Sequence, residues 1–135
     1  MTPTAVALLS FAAWTLLLLI GVSATRIGVS IRTGKAANTF DPASGDLDGF
    51  AKRITRAHAN CYENLPVAAA VLLYAIAADR TAVTDGLAYV FIAARLLQSL
   101  VHLISTSNPA ISIRFVFFLV QVGILIYWFA KLAGF

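Results

Sequence analysis

Arg53, Arg56, Asn60 and Glu63 follow one another at steps of three, four and three residues. In a helix such steps stack side chains turn over turn on one face. Two guanidiniums, an amide and a carboxylate would then share a single stripe. Guanidinium forks grip carboxylates in bidentate fashion, and an amide both donates and accepts. The stripe therefore suits an anion carrying several carboxylates, with Glu63 free to pair with an arginine or to accept from a ligand amine. It runs straight into the apolar stretch 67–78, and ionisable groups carried towards a bilayer are costly and usually functional. A second set, Arg95, Gln98, Ser99 and His102, follows at steps of three, one and three, and Arg114 and Gln121 lie beyond it.

The elements that must position these residues are membrane helices. Of the 135 residues, 60% are hydrophobic and 12% charged. A soluble domain has roughly 45–50% apolar and about 25% charged residues, so a membrane protein is the class that fits. Ten Lys and Arg against six Asp and Glu leave 10 − 6 = +4. The basic residues gather beside apolar spans rather than on a soluble face, which suits a membrane surface and argues against nucleic acid. Cys61 is the single cysteine, so neither an intrachain disulfide nor a multi-cysteine metal site is expected. His58 and His102 have no ligand spacing for zinc, so no metal is expected.

Four spans are predicted, over residues 5–24, 57–78, 87–104 and 111–132. The first is uncharged, and at 1.5 Å per residue it covers about 30 Å, the thickness of the hydrocarbon core. No basic residue precedes it, which favours a retained span over a cleaved signal peptide. Residues 26–52 read as a hydrophilic loop with turns at Gly34, Gly45, Gly49 and Pro42. Pro66 should kink the second span or rearrange its hydrogen bonds, and Asn108-Pro109 reads as a tight turn. Tyr127, Trp128 and Lys131 read as an interfacial anchor. Counting Arg53 and Arg56, six basic residues lie between the first two spans. The positive-inside rule places that loop in the cytoplasm and both termini on the opposite side. The expectation is a single all-α domain, a four-transmembrane-helix bundle.

In such a bundle Arg53, Arg56, Asn60, Glu63, Arg95, Gln98, Ser99, His102 and Arg114 converge at the cytoplasmic end. Four arginines against one glutamate repel one another unless loop acids, lipid phosphates or an anionic ligand compensate. Arg53 and Arg114, taken singly, also suit interfacial snorkelling, and Arg95 with Glu63 suits an internal ion pair. Cys61 reads as a small buried thiol.

The run Arg53-Ile-Thr-Arg-Ala-His-Ala-Asn-Cys-Tyr-Glu-Asn-Leu-Pro resembles the Arg-x-x-Arg-Ala-x-x-Asn-x-x-Glu signature of the MAPEG family. These are the membrane-associated proteins of eicosanoid and glutathione metabolism. Ala94-Arg95-Leu96-Leu97-Gln98-Ser99 is similar to that family's arginine-led third helix. The resemblance spans essentially the whole chain and points to a bacterial-type member, in a bacterial inner membrane. It implies a homotrimer with glutathione, as cosubstrate, in a cleft between neighbouring subunits. Arg56, Asn60 and Glu63 match binding positions of the second helix, Arg95 the third-helix arginine, and Arg114 the catalytic arginine opening the fourth. A basic residue from the end of the first helix, Arg26 or Arg32, belongs to the same site. The chain departs from the family pattern at three places. Ala59 stands where strong glutathione binders often carry a further arginine. His102 stands at an aromatic hydroxyl position, and Phe115 and Phe118 stand where some members place a serine and a tyrosine. The implied function is a glutathione-dependent transferase or peroxidase acting on lipophilic electrophiles. The alternative is a non-catalytic trimer of the same fold that binds lipid or a partner.

Overall fold

The computed structural model describes residues 1–42 and 44–135. They form four helices, α1 (Pro3–Thr33), α2 (Gly49–Ala77), α3 (Asp85–Ile104) and α4 (Asn108–Leu132), with 3₁₀ turns at Ala37–Thr39 and Thr81–Val83. Helices α1, α3 and α4 are each long and apolar enough to cross a membrane. Helix α2, at 29 residues, spans roughly 43 Å, and its first half carries Lys52, Arg53, Arg56 and Glu63.

The helix ends are where sequence expectation and structure part. Helix α1 starts with Thr2 accepting from the Ala5 amide at 3.2 Å and Pro3 in the first turn, both ordinary start signals. It does not stop at residue 24. It continues through Arg26 and Arg32 to Gly34, whose φ of 73° closes the helix with an N–H bond to the Ser30 carbonyl. That left-handed closure is where a glycine is required; the single Gly28 inside the segment is insufficient to break it. The expected loop 26–52 therefore shrinks to residues 34–48. Asn108-Pro109 opens α4 instead of forming the turn, because proline's missing donor costs nothing in a first turn. Ser107 caps that helix by accepting from the Ala110 amide. Helix α2 runs unbroken through Pro66.

Helix α1 packs on α2 and α3, and α3 packs on α4, whereas α2 and α4 share only a brief contact. The shared core is built on Phe11, Leu72, Phe91 and Trp128, with small residues such as Ala7, Ala68, Ala75 and Ala88 beside them. Small residues let membrane helices approach closely. Gly21 does so for α1 and α2, since a Cβ there would run into the Ile54 side chain. Phe91 meets Phe11 edge-on at 6.0 Å and Trp128 at 5.3 Å between ring centres. Trp128 is thus core, which corrects the expected anchor. Adjacent helical residues point about 100° apart, so Tyr127 faces outward while Trp128 faces in. The outer faces carry exposed Leu9, Leu16, Ile20, Leu73, Ile126 and Phe129, surface that a lipid environment covers.

At the end away from the 34–48 loop, polar ties replace apolar packing. The Thr4 hydroxyl lies 2.6 Å from both the Thr84 hydroxyl and Asp85 Oδ1, and the Thr4 amide donates to the same carboxylate at 3.0 Å. Arg80 reaches back to donate to the Leu132 and Lys131 carbonyls at 2.7 and 3.0 Å. It thereby satisfies the orphan acceptors that end α4. Thr4→Val keeps the side-chain shape and removes the hydroxyl from a fully buried position. It is expected to cost about 1–2 kcal/mol, read as a loss of unfolding free energy in detergent. A stability equal to wild type would show that this tie carries no load.

Candidate functional site

The site is built on a buried polar network at the middle of the bundle. Arg95 is only 1% exposed. Its Nη1 donates to Asn60 Oδ1 at 2.8 Å, and its guanidinium carbon sits 5.1 Å over the Phe11 ring. Gln98 Nε2 reaches the same Asn60 oxygen at 3.5 Å, and Gln121 Nε2 donates to Gln98 Oε1 at 2.8 Å. The Cys61 sulfur lies 3.3 Å from the Ser99 hydroxyl, and Cys61 is fully buried. Residues of all four helices take part. Such groups must find partners inside the protein, because lipid offers none.

On the flank between α2 and α4 lies an open cleft of about 480 Å³, whose wall includes Arg56, Asn60, Tyr62, Glu63, His102 and Arg114. An adjoining lobe of about 350 Å³ shares Arg56, His102 and Arg114 and adds Lys52, Arg53 and Thr106. The ion pair among the described residues, Lys35 Nζ to Asp46 Oδ2 at 3.1 Å, lies in the 34–48 loop and involves none of these cations. The Asp46 carboxyl there sits below its usual range. Desolvation pushes it up, but the Asp41 amide and the Lys35 ammonium outweigh that effect.

The residues read from the sequence separate into distinct places. Arg56, Asn60, Glu63, His102 and Arg114 meet in the larger cleft. Arg53 lies in the smaller lobe, with its Nε donating to the Leu103 carbonyl at 2.8 Å, so it also ties down the end of α3. Arg95 and Gln98 are buried behind Asn60. The Arg95–Glu63 ion pair does not form: Glu63 is exposed on the flank while Arg95 points into the bundle, and Asn60 takes the guanidinium. Arg32, on the last turn of α1, lines a separate cleft with Lys35, Asp46 and Asp48. Arg26 lies 5.8 Å over the Phe40 ring. His58 packs on Tyr62 at 5.1 Å between ring centres.

Sequence reasoning passed over Tyr62 and Lys52, and it gave Gln121 no partner. Lys52 lies four residues before Arg56, so the helical spacing that found the stripe also pointed to it. Tyr62 falls one residue short of Glu63 and so off the stripe, yet it is half exposed in the cleft wall. Gln121 carried no signal beyond being an amide in an apolar helix, which is itself unusual.

A model of the MAPEG family matches residues 4–134, and the chain belongs to that family. With its long apolar helices, it is an integral, multi-pass membrane protein. No curated protein and no solved structure matches the chain.

The Asn60–Arg95 bond gives a direct test. Asn60→Leu strands a buried guanidinium, and a hydrogen bond to a charged group is worth about 1.5–3 kcal/mol. Unfolding in detergent should show a loss of that size. Adding Arg95→Met to Asn60→Leu should recover part of it, because both polar partners are then gone. Strictly additive losses in the double variant would refute the coupling.

Proposed function

We propose that this family member is a glutathione-dependent transferase or peroxidase acting on lipophilic electrophiles, with its site in the larger cleft. One observation carries the reading. Two guanidiniums, an amide and a single carboxylate converge in a cleft on the flank of a membrane bundle. Glutathione offers the complementary set of two carboxylates and one amine. Arg56 would take a carboxylate through its fork, and Glu63 would accept from the amine. The Asn60 oxygen is engaged by Arg95, which leaves its amide nitrogen to donate to the ligand. Arg95 and Gln98 then act as positioning residues, through Asn60. Arg114 is the catalytic group, because a cation beside a thiol favours the thiolate, the nucleophilic form. The thiolate forms the new S–C bond and the electrophile's leaving atom departs with the electron pair. In the peroxidase mode, attack on a hydroperoxide oxygen forms an S–O bond and breaks the O–O bond, the alkoxide leaving as the alcohol, and a second glutathione thiol then displaces water from the sulfenic acid to give the disulfide.

The location suits both substrates. A charged cosubstrate enters from the loop side, taken as cytoplasmic, and an apolar one arrives through lipid. The cleft opens on the flank of one protomer, so a second copy is needed to close it, which supports a homotrimer with sites between subunits. The basic residue from α1 that the family pattern calls for would be Arg32, which in one protomer lines another cleft. Phe115, 57% exposed, and Phe118 stack at 6.2 Å on the opening turns of α4. They put aromatic surface where a hydroxyl would serve the thiolate, and they favour the second reading, a non-catalytic trimer that binds lipid or a partner.

Millimolar glutathione should raise the melting temperature of the detergent-solubilised protein, and Arg56→Ala should abolish that shift. No stabilisation of the wild type would remove the glutathione reading. Turnover of a chlorodinitrobenzene separates the two functions. Arg114→Ala should lower kcat on the order of 100-fold, the scale for losing one preorganised electrostatic donor, while glutathione still binds. Binding without turnover by the wild type would establish the non-catalytic protein.

A further inference from the structure

The smaller lobe differs in kind from the cleft beside it. Its wall holds Lys52, Arg53, Arg56 and Arg114, together with His102 and Thr106. The larger cleft answers its two arginines with Glu63; the residues that line the smaller lobe include no carboxylate. None of its four cations belongs to the ion pair among the described residues, and Arg114 Nε is buried without a hydrogen-bond partner among them. Arg53 is held in place by its Nε bond to the Leu103 carbonyl, which leaves the two Nη groups as its remaining donors. Four positive side chains in one wall repel one another, and a group of multiple negative oxygens relieves that repulsion. Arginine forks and a lysine point charge are the standard donors to phosphate.

We infer that this lobe is a phosphate site, filled by the headgroup of an anionic phospholipid or by a free phosphate-bearing ligand. Its place in the fold agrees. It lies where α2 begins, α3 ends and α4 begins, at the ends of membrane-crossing helices, which is the level of lipid headgroups. Its volume of about 350 Å³ is within the range of ligand pockets, about 300–1,000 Å³. With no carboxylate among the described residues of its wall, it is a poor site for a zwitterion such as phosphatidylcholine, whose ammonium finds no partner among them. The lobe shares Arg56, His102 and Arg114 with the larger cleft, and Lys52 and Arg53, which line the lobe alone, are the residues that distinguish it from the glutathione reading.

The test uses the full chain, delipidated in neutral detergent, with phosphatidylglycerol, phosphatidylcholine and inorganic phosphate as probes. Native mass spectrometry should show phosphatidylglycerol retained at concentrations at least fivefold lower than phosphatidylcholine. Lys52→Glu should abolish that preference, and Lys52→Gln should weaken it if the glutamate variant fails to fold. Lys52→Gln, which adds no charge that could engage Arg56, should leave any glutathione-induced thermal shift as in wild type. Thermal stabilisation by inorganic phosphate that Lys52→Gln removes, without a lipid preference, would assign the lobe to a free phosphate ligand. Equal retention of the two lipids with no effect of phosphate would overturn the proposal, as would a Lys52→Gln variant with wild-type preference. A wild type that ignores glutathione but prefers phosphatidylglycerol would retain the phosphate site and lose the transferase.

Discussion

A guanidinium held in the middle of a membrane bundle is the constraint on which the other features depend. Arg95 is almost wholly enclosed, and its charge is met by the Asn60 oxygen and the face of Phe11 rather than by a carboxylate. A buried cation needs fixed geometry and partners for its donors; here Nη1 has Asn60, while Nε has no hydrogen-bond partner among the described residues. That requirement sets how α2 stands against α3 and α1. Once Asn60 is committed inward, Arg56 and Glu63, near it on the same helix, face the flank. The cleft is thus a by-product of how the interior is satisfied.

The chain uses one residue type for three physically different tasks. Arg53 and Arg80 hold backbone carbonyls at the ends of α3 and α4, where the last turn has acceptors without donors. Arg95 organises the interior. Arg56 and Arg114 face an open cleft, outside the ion pair among the described residues. The last two are the ones left wholly for a ligand, while Arg53 keeps its Nη groups after its Nε is spent on the Leu103 carbonyl. Burial and hydrogen bonding, not residue type, separate the cations that maintain the bundle from those that can recognise something else.

Much of this was legible in the sequence. The apolar runs announced the helices, and spacing alone placed Arg56, Asn60 and Glu63 near one another. Helix boundaries were less legible, because residues 25–33 mix apolar and basic groups and resemble a loop by polarity while retaining helical propensity. The Tyr127-Trp128 pair was misread since a two-residue motif ignores the 100° turn between neighbours. Arg95 and Gln98 shared a face with His102, yet only packing could tell that His102 borders the cleft while the other two lie behind Asn60. Arg32 and Arg56 have the same charge and lie in different clefts, a distinction carried by three-dimensional contact and invisible to composition.

Helix α2 differs from its neighbours in a way that bears on biosynthesis. Its first half carries Lys52, Arg53, Arg56 and Glu63, and it is the one long helix that falls short of an independent membrane span. Asn60, in the same half, has its side-chain oxygen satisfied by Arg95 and Gln98, which belong to a helix translated later. The nascent α2 therefore has a poor case for partitioning into lipid alone. Its partners lie on α3, so lipid alone leaves the Asn60 oxygen without a donor. The polar network that shapes the finished protein thus also makes α2 dependent on α3 for its place in the bundle.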